Sequence, residues 1–198
     1  MKFIFDLDGA VTVKETLPLI VSYFEVGEEM DNLIKDGAQD YIPFIESFIR
    51  RVHVLGKLRV SDVANLLRQV TLRPKIYKFI QTHKKDCAIV TDNLDCWVDK
   101  LTGRIDCQWY TSKAKVENGK VTAIIEVLNK EQVVKKYQNS GEKVIFIGCS
   151  HNDMEALRAA DIAIGSGLSR YPSSSIISFI DYLIFDEAAI CRQLNQLY

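Results

Sequence analysis

Short apolar runs alternate with helix-like stretches along most of this chain. Lys2–Phe5 (KFIF), Cys87–Val90 (CAIV), Val144–Ile147 (VIFI), Ile162–Ile164 (IAI) and Tyr182–Phe185 (YLIF) are rich in β-branched and aromatic residues and show little polar alternation. Runs of this kind predict parallel strands covered on both faces. Between them the spacing predicts helices at about 75–85, 94–101, 130–138, 152–160 and 186–197. The alternation implies an α/β fold built on a doubly wound parallel sheet.

Two stretches leave this rhythm. Residues 14–73 have no strand pattern. They carry helical spacing at Leu17, Ile20, Val21 and Phe24, then at Phe44, Phe48, Ile49 and Val52, then at Val63, Leu66, Leu67 and Val70. The expectation is a small helical cap at 14–73, inserted after the first strand of a core formed by 1–13 and 74–198. The second exception is KAKVENGKVTAIIEV, in which Asn118-Gly119 separates two strand-like runs. Asn-Gly suits the two positive-φ positions of a type I′ turn, so a β-hairpin is expected there.

The chain has 198 residues, 47% hydrophobic and 26% charged, enough for one well-formed core. With 25 Lys and Arg against 26 Asp and Glu, and no basic block, neither nucleic acid nor an acidic membrane surface is an expected partner. The apolar runs are too short to span a bilayer, and Asp6 and Asp8 interrupt the first before a secretory core could develop. Five cysteines, at 87, 96, 107, 149 and 191, form no CxxC pair and are odd in number. That usage suggests free thiols in a reducing, cytoplasmic setting.

Open α/β sheets bind ligands outside the carboxyl ends of their strands, so the residues just beyond each apolar run matter most. The first run ends in Asp6-Leu7-Asp8-Gly9, the second in Thr91-Asp92-Asn93, and the third in Gly148-Cys149-Ser150-His151-Asn152-Asp153. Three strands thus deliver acids, hydroxyls and amides to one edge. Asp6 and Asp8 alternate across a strand end and can share a pocket only if the chain turns at Gly9. Otherwise they cap the following turn. Several carboxylates together stay ionised beside a cation, and oxygen ligands select a hard ion, usually Mg²⁺ where phosphate is bound.

These residues carry a resemblance. FDLDGAVT resembles the first motif of the haloacid dehalogenase-like (HAD) phosphohydrolases, Asp-x-Asp-x-Thr/Val after the first strand. AIVT is similar to the second motif, Lys130 stands at the place of the motif lysine, and GCSHND at that of the fourth motif, Gly-Asp-x-x-x-Asp. The order and spacing agree over nearly the whole chain. The sequence further resembles the phosphoserine phosphatase-like branch, with Glu15-Thr16-Leu17 nine positions after Asp6 and Phe44-Ile45-Glu46-Ser47-Phe48-Ile49-Arg50-Arg51-Val52 in the cap.

The resemblance implies hydrolysis of a small phosphorylated, phosphoserine-like metabolite through an aspartyl-phosphate. Asp6 would be the nucleophile and Asp8 the general acid and base, while Thr91 and Lys130 would hold the phosphoryl group. Asp6, Asp8 and Asp153 would ligate Mg²⁺. Glu15, Phe44 and Arg51 would meet the substrate, with Asp92 and Asn152 beside it; helical packing accounts equally well for Phe44, and a solvated face for Arg51. Four positions depart from the family pattern: Cys149 replaces an Asp metal ligand, Ala10 replaces Thr, and Asp92-Asn93 replaces two glycines. A thiol suits Mg²⁺ poorly and a softer ion such as Mn²⁺ better. A cysteine near a phosphate site also suits a redox switch. The departures leave two alternatives beside hydrolysis: a degenerate domain that binds phosphate or a protein partner, and transfer of the phosphoryl group to another acceptor, as in mutases.

Overall fold

A computed structural model of the chain describes residues 1–27, 30, 33 and 43–198. Part of the 14–73 stretch therefore lies outside the described residues. Seven strands form one sheet in the order β4-β3-β2-β1-β5-β6-β7, parallel throughout except for the antiparallel β3–β4 pair. The strands are β1 (Lys2–Asp6), β2 (Cys87–Leu94), β3 (Gln108–Glu117), β4 (Lys120–Glu126), β5 (Val144–Gly148), β6 (Ile162–Ser166) and β7 (Tyr182–Ile184). β1 lies between β2 and β5, both parallel to it, so chain connections leave it in opposite directions and a crevice opens at its carboxyl end.

The apolar runs become central strands because both faces are covered. On one face Phe3, Phe5, Ile89 and Ile145 pack with helices α4 (Pro74–Thr82), α5 (Asp95–Thr102) and α8 (Glu187–Leu197). On the other, Ile4, Val90 and Phe146 meet α6 (Lys130–Asn139) and α7 (Met154–Ala159). Each such side chain contributes about 1.5–3 kcal/mol on full burial. Between β1 and β2 the chain also forms α1 (Thr16–Phe24), α2 (Phe44–Leu55) and α3 (Val60–Arg68). A short antiparallel bridge, Thr12 to Leu72, closes the base of this excursion.

The doubly wound sheet expected from the sequence is present, with boundary differences that have local causes. The helix expected over 75–85 stops at Thr82, because His83 leaves helical geometry (φ −117°, ψ 34°). The stretch expected as one helix from 152 begins as a tight turn at His151–Asp153 before α7. The hairpin turns at Asn118 (φ 52°) and Gly119 (φ 74°), the two positive-φ positions that Asn-Gly supplies. Its first strand starts earlier than the pattern indicated, since Gln108–Thr111 pairs in parallel with β2.

Candidate active site

The crevice at the end of β1 opens into a cavity of about 520 Å³. Asp6, Asp8, Thr91, Asp92 and Asn152 line it. Glu15, Phe44 and Arg51 line it too. Lys130 and Asp153 lie buried beneath it.

Asp6 is the last residue of β1 and is 4% exposed. Lys130 opens α6, whose N-terminus Asn129 caps by accepting from the Gln132 N–H at 3.0 Å. A cation at a helix N-terminus opposes the helix dipole, so its position depends on the acids around it. Its Nζ lies 2.9 Å from Asp6 Oδ1, 3.0 Å from Asp92 Oδ2 and 2.8 Å from Asp153 Oδ1. Burial alone would lower its pKa, but the three carboxylates outweigh that and hold it well above its ordinary value. Burial pushes the Asp6 carboxyl up, Asp153 adds to the effect, and Lys130 opposes it.

Gly9 turns the chain as anticipated, at φ +84°. Asp8 thereby reaches the cavity edge and receives the start of α1: the Thr16 N–H donates to its Oδ1 at 2.8 Å and the Thr16 hydroxyl to its Oδ2 at 2.7 Å. Asp8 thus lines the cavity and also accepts from the first residue of α1. Burial raises its pKa and the Thr16 hydrogen bonds partly offset the rise. The Thr16 hydroxyl can donate to a carboxylate or accept from a carboxylic acid, so either form of Asp8 is accommodated.

Thr91 Oγ1 accepts from the Asn93 N–H at 3.2 Å and Nδ2 at 2.9 Å, which leaves its own proton for an oxygen in the cavity. Asn93 also donates to Thr16 Oγ1 at 2.9 Å, joining the end of β2 to the start of α1. Asp92, a charge unexpected beside an anionic ligand, is taken up by Lys130 and by the Asn152 amide. On α2, Arg51 Nε donates to Ser47 O at 3.2 Å and its guanidinium lies 5.8 Å from the centre of the Phe44 ring.

The expected magnesium ligands are only partly gathered. Asp153 Oδ2 accepts from the Cys149 and Ser150 amides, both at 2.9 Å, and Oδ1 from Lys130. Cys149 Sγ packs 3.8 Å from the Asp8 carbonyl oxygen, and burial pushes its pKa up to about 12. A protonated thiol among these oxygens is a poor partner for a hard ion, and it lacks the thiolate that a redox switch needs. Among the described residues no three His, Cys, Asp or Glu side chains form a group that could hold a metal. The donor set thus does not fit Mg²⁺.

Arg170, Ser47 and Trp97, given no role from the sequence, line the same cavity as well. Arg170 comes after the end of β6 and was open to the same strand-end reasoning; Ser47 and Trp97 sit on helix faces, where only the fold turns them inward.

Across residues 3–161 the chain matches the family model of the haloacid dehalogenase-like hydrolases, and it belongs to that family. Within it, the similar proteins include phosphoserine phosphatases. That of Methanocaldococcus jannaschii is 23% identical over 174 residues, covering 81% of this chain and 82% of that protein. That of Archaeoglobus fulgidus is 22% identical over 174 residues, and the aligned part is 51% of its length. Among solved structures, a phospho-aspartyl intermediate analogue of phosphoserine phosphatase superposes with a TM-score of 0.79 at 20% identity, covering 96% of this chain and 97% of the other. A substrate-bound phosphoserine phosphatase complex also gives 0.79, at 19% identity over 100% and 98%. At such identities the structural likeness establishes the fold. Among the described residues no helix is long and apolar enough to cross a membrane.

Proposed function

We propose that the chain is a phosphomonoesterase that works through an aspartyl-phosphate on Asp6. The observation that carries the proposal is the pairing of Asp6 with buried Lys130 at the floor of the cavity, with a second carboxyl group, Asp8, whose pKa is raised. Lys130 engages Oδ1 of Asp6, leaving Oδ2 to attack phosphorus. As that oxygen–phosphorus bond forms, the bond to the leaving oxygen breaks and Asp8 delivers a proton to it. Asp8, now ionised, takes a proton from water, which attacks the same phosphorus and releases phosphate and the Asp6 carboxylate. General acid–base help of this kind is worth about 10²–10⁴-fold. Thr91 and the Lys130 ammonium face charge that builds on the phosphoryl oxygens. The domain division, with 14–73 as a cap over the substrate, and the roles of Glu15, Phe44, Arg51, Asp92 and Asn152 belong to the same proposal.

The test is turnover of p-nitrophenyl phosphate with Mg²⁺, with Mn²⁺ and with chelator, using Asp6→Asn as the blank. Turnover that persists in the blank rules out Asp6 as nucleophile. The Cys149 thiol supports a second reading, a domain that binds phosphate with little turnover. Under that reading Cys149→Asp raises a near-zero rate by orders of magnitude and makes it respond to Mg²⁺. A robust wild-type rate, unimproved by the change, removes it.

A further inference from the structure

The rim of the cavity holds a pair of charges that the phosphoryl chemistry leaves unused. Arg170, in the loop after β6, places Nε 3.1 Å from Glu15 Oε1 and donates from Nη2 to Ser150 Oγ at 2.7 Å. Each carboxylate that lines the cavity is already engaged: Asp6 and Asp92 by Lys130, Asp8 by Thr16, and Glu15 by Arg170. The cations and donors are not matched in the same way. Among the described residues Arg51 has no carboxylate within ion-pair distance, its Nε bonding only the Ser47 carbonyl oxygen. Among the described residues Ser47 Oγ and Trp97 Nε1, both buried and both on residues that line the cavity, have no hydrogen-bond partner.

We infer that Arg170 sets the charge pattern of the substrate. By occupying Glu15 it removes a seat for an ammonium group, so the cavity selects a phosphomonoester that carries a carboxylate and lacks an adjacent ammonium: a phosphorylated hydroxy acid. The inference rests on the phosphomonoesterase reading. An exposed ion pair can open, but opening this one leaves the guanidinium tethered at Ser150 in the same corner. An ammonium seated on Glu15 would then face a like charge, and such repulsive elements are an effective source of specificity.

The test is binding of 3-phosphoglycerate and phosphoserine, which share a skeleton and differ in a hydroxyl against an ammonium, titrated calorimetrically into the Asp6→Asn protein. The expected preference is about tenfold or more for 3-phosphoglycerate. Adding Arg170→Ala frees Glu15, so phosphoserine should gain, 3-phosphoglycerate should lose, and the ratio should fall by about tenfold. A merely structural role would weaken both ligands alike and leave the ratio in place. Glu15→Gln, in the same background, should give phosphoserine no gain. Equal affinities, tighter phosphoserine, no saturable binding, or a ratio unmoved by Arg170→Ala overturns the inference. Turnover of p-nitrophenyl phosphate by the wild-type protein is scored separately. Its absence beside a preserved ratio sinks the phosphatase reading alone; its presence beside a failed ratio sinks this one.

Discussion

Lys130 concentrates the electrostatics of the site in one side chain. It is 4% exposed and holds Asp6, Asp92 and Asp153 within 3.0 Å. Removing one partner of a buried ion network leaves uncompensated charge, typically at a cost of about 3–5 kcal/mol. Lys130→Met is therefore expected to lose turnover and to be destabilised by that order in urea unfolding at neutral pH. The pH dependence has a definite sign. Without the ammonium, Asp6 loses the contact that opposes its upward shift, so the native state binds protons that the unfolded chain at the same pH does not. Stability then recovers as pH falls toward the native-state carboxyl range, and the gap to wild type narrows. A gap that widens on acidification contradicts the assignment. Much of this was legible residue by residue, because Asp6, Thr91, Asp92 and Asp153 each come after an apolar run and Lys130 opens a helix. What the sequence could not display is partnership. Nothing local to Arg170 or Glu15 records that two distant loops bring them together, and nothing in the Cys149 neighbourhood indicates that Asp153 spends its oxygens on amides and a lysine.

Elements position these residues through a few close approaches. The turn Leu7–Val11 carries Asp8 off the end of β1, closed by the Thr12 N–H donating to Leu7 O at 3.0 Å. Ser166, at the end of β6, donates to Gly9 O at 2.7 Å and ties the turn to a second strand. Gly9 is required twice: its φ is +84°, and a Cβ there would lie 2.4 Å from Cys149 Sγ. Cys149 thus fills the space under the turn. Gly9→Ala should cost about 1–3 kcal/mol from the backbone conformation, with the steric overlap in addition. Combining it with Cys149→Ala separates the two parts, since the second change removes the overlap and leaves the φ strain. The double mutant is expected to be more stable than the sum of the single effects by about 1 kcal/mol or more in urea unfolding. Strict additivity would mean that sulfur and turn are not in contact. The strand and helix order was readable because burial on both faces imposes continuous apolar runs. The early part of β3 was not, because Gln108–Thr111 is only partly buried and its pattern is weak.

At the scale of the whole molecule, the helical excursion after β1 is held at more places than its base. The bridge from Thr12 to Leu72 closes the neck. Farther out, the hairpin grips the junction of α2 and α3: the Val60 N–H donates to Gly119 O at 2.9 Å, and the Val121 N–H to Gly56 O at 3.2 Å. β4 is the edge strand of the sheet, which is why an outward N–H is free to make the second bond. Gly56 fits closely there, as a Cβ would lie 3.3 Å from the Val121 side chain. Arg51 and Phe44 ride on α2, so the hairpin fixes the helix that presents them to the cavity. If closure of this region completes the substrate site, loosening the grip should change KM and kcat together. Val121→Pro removes the N–H at an edge position where proline is tolerated, and the lost bond is worth about 0.5–1.5 kcal/mol. Val121→Ala retains the N–H and controls for side-chain packing. The proline variant is expected to raise KM several-fold and to speed hydrogen exchange at the Val60 amide, while the alanine variant does less of both. Faster exchange with KM unmoved would separate the hairpin from substrate capture, leaving Arg51 to be positioned by α2 and its contacts with the core alone.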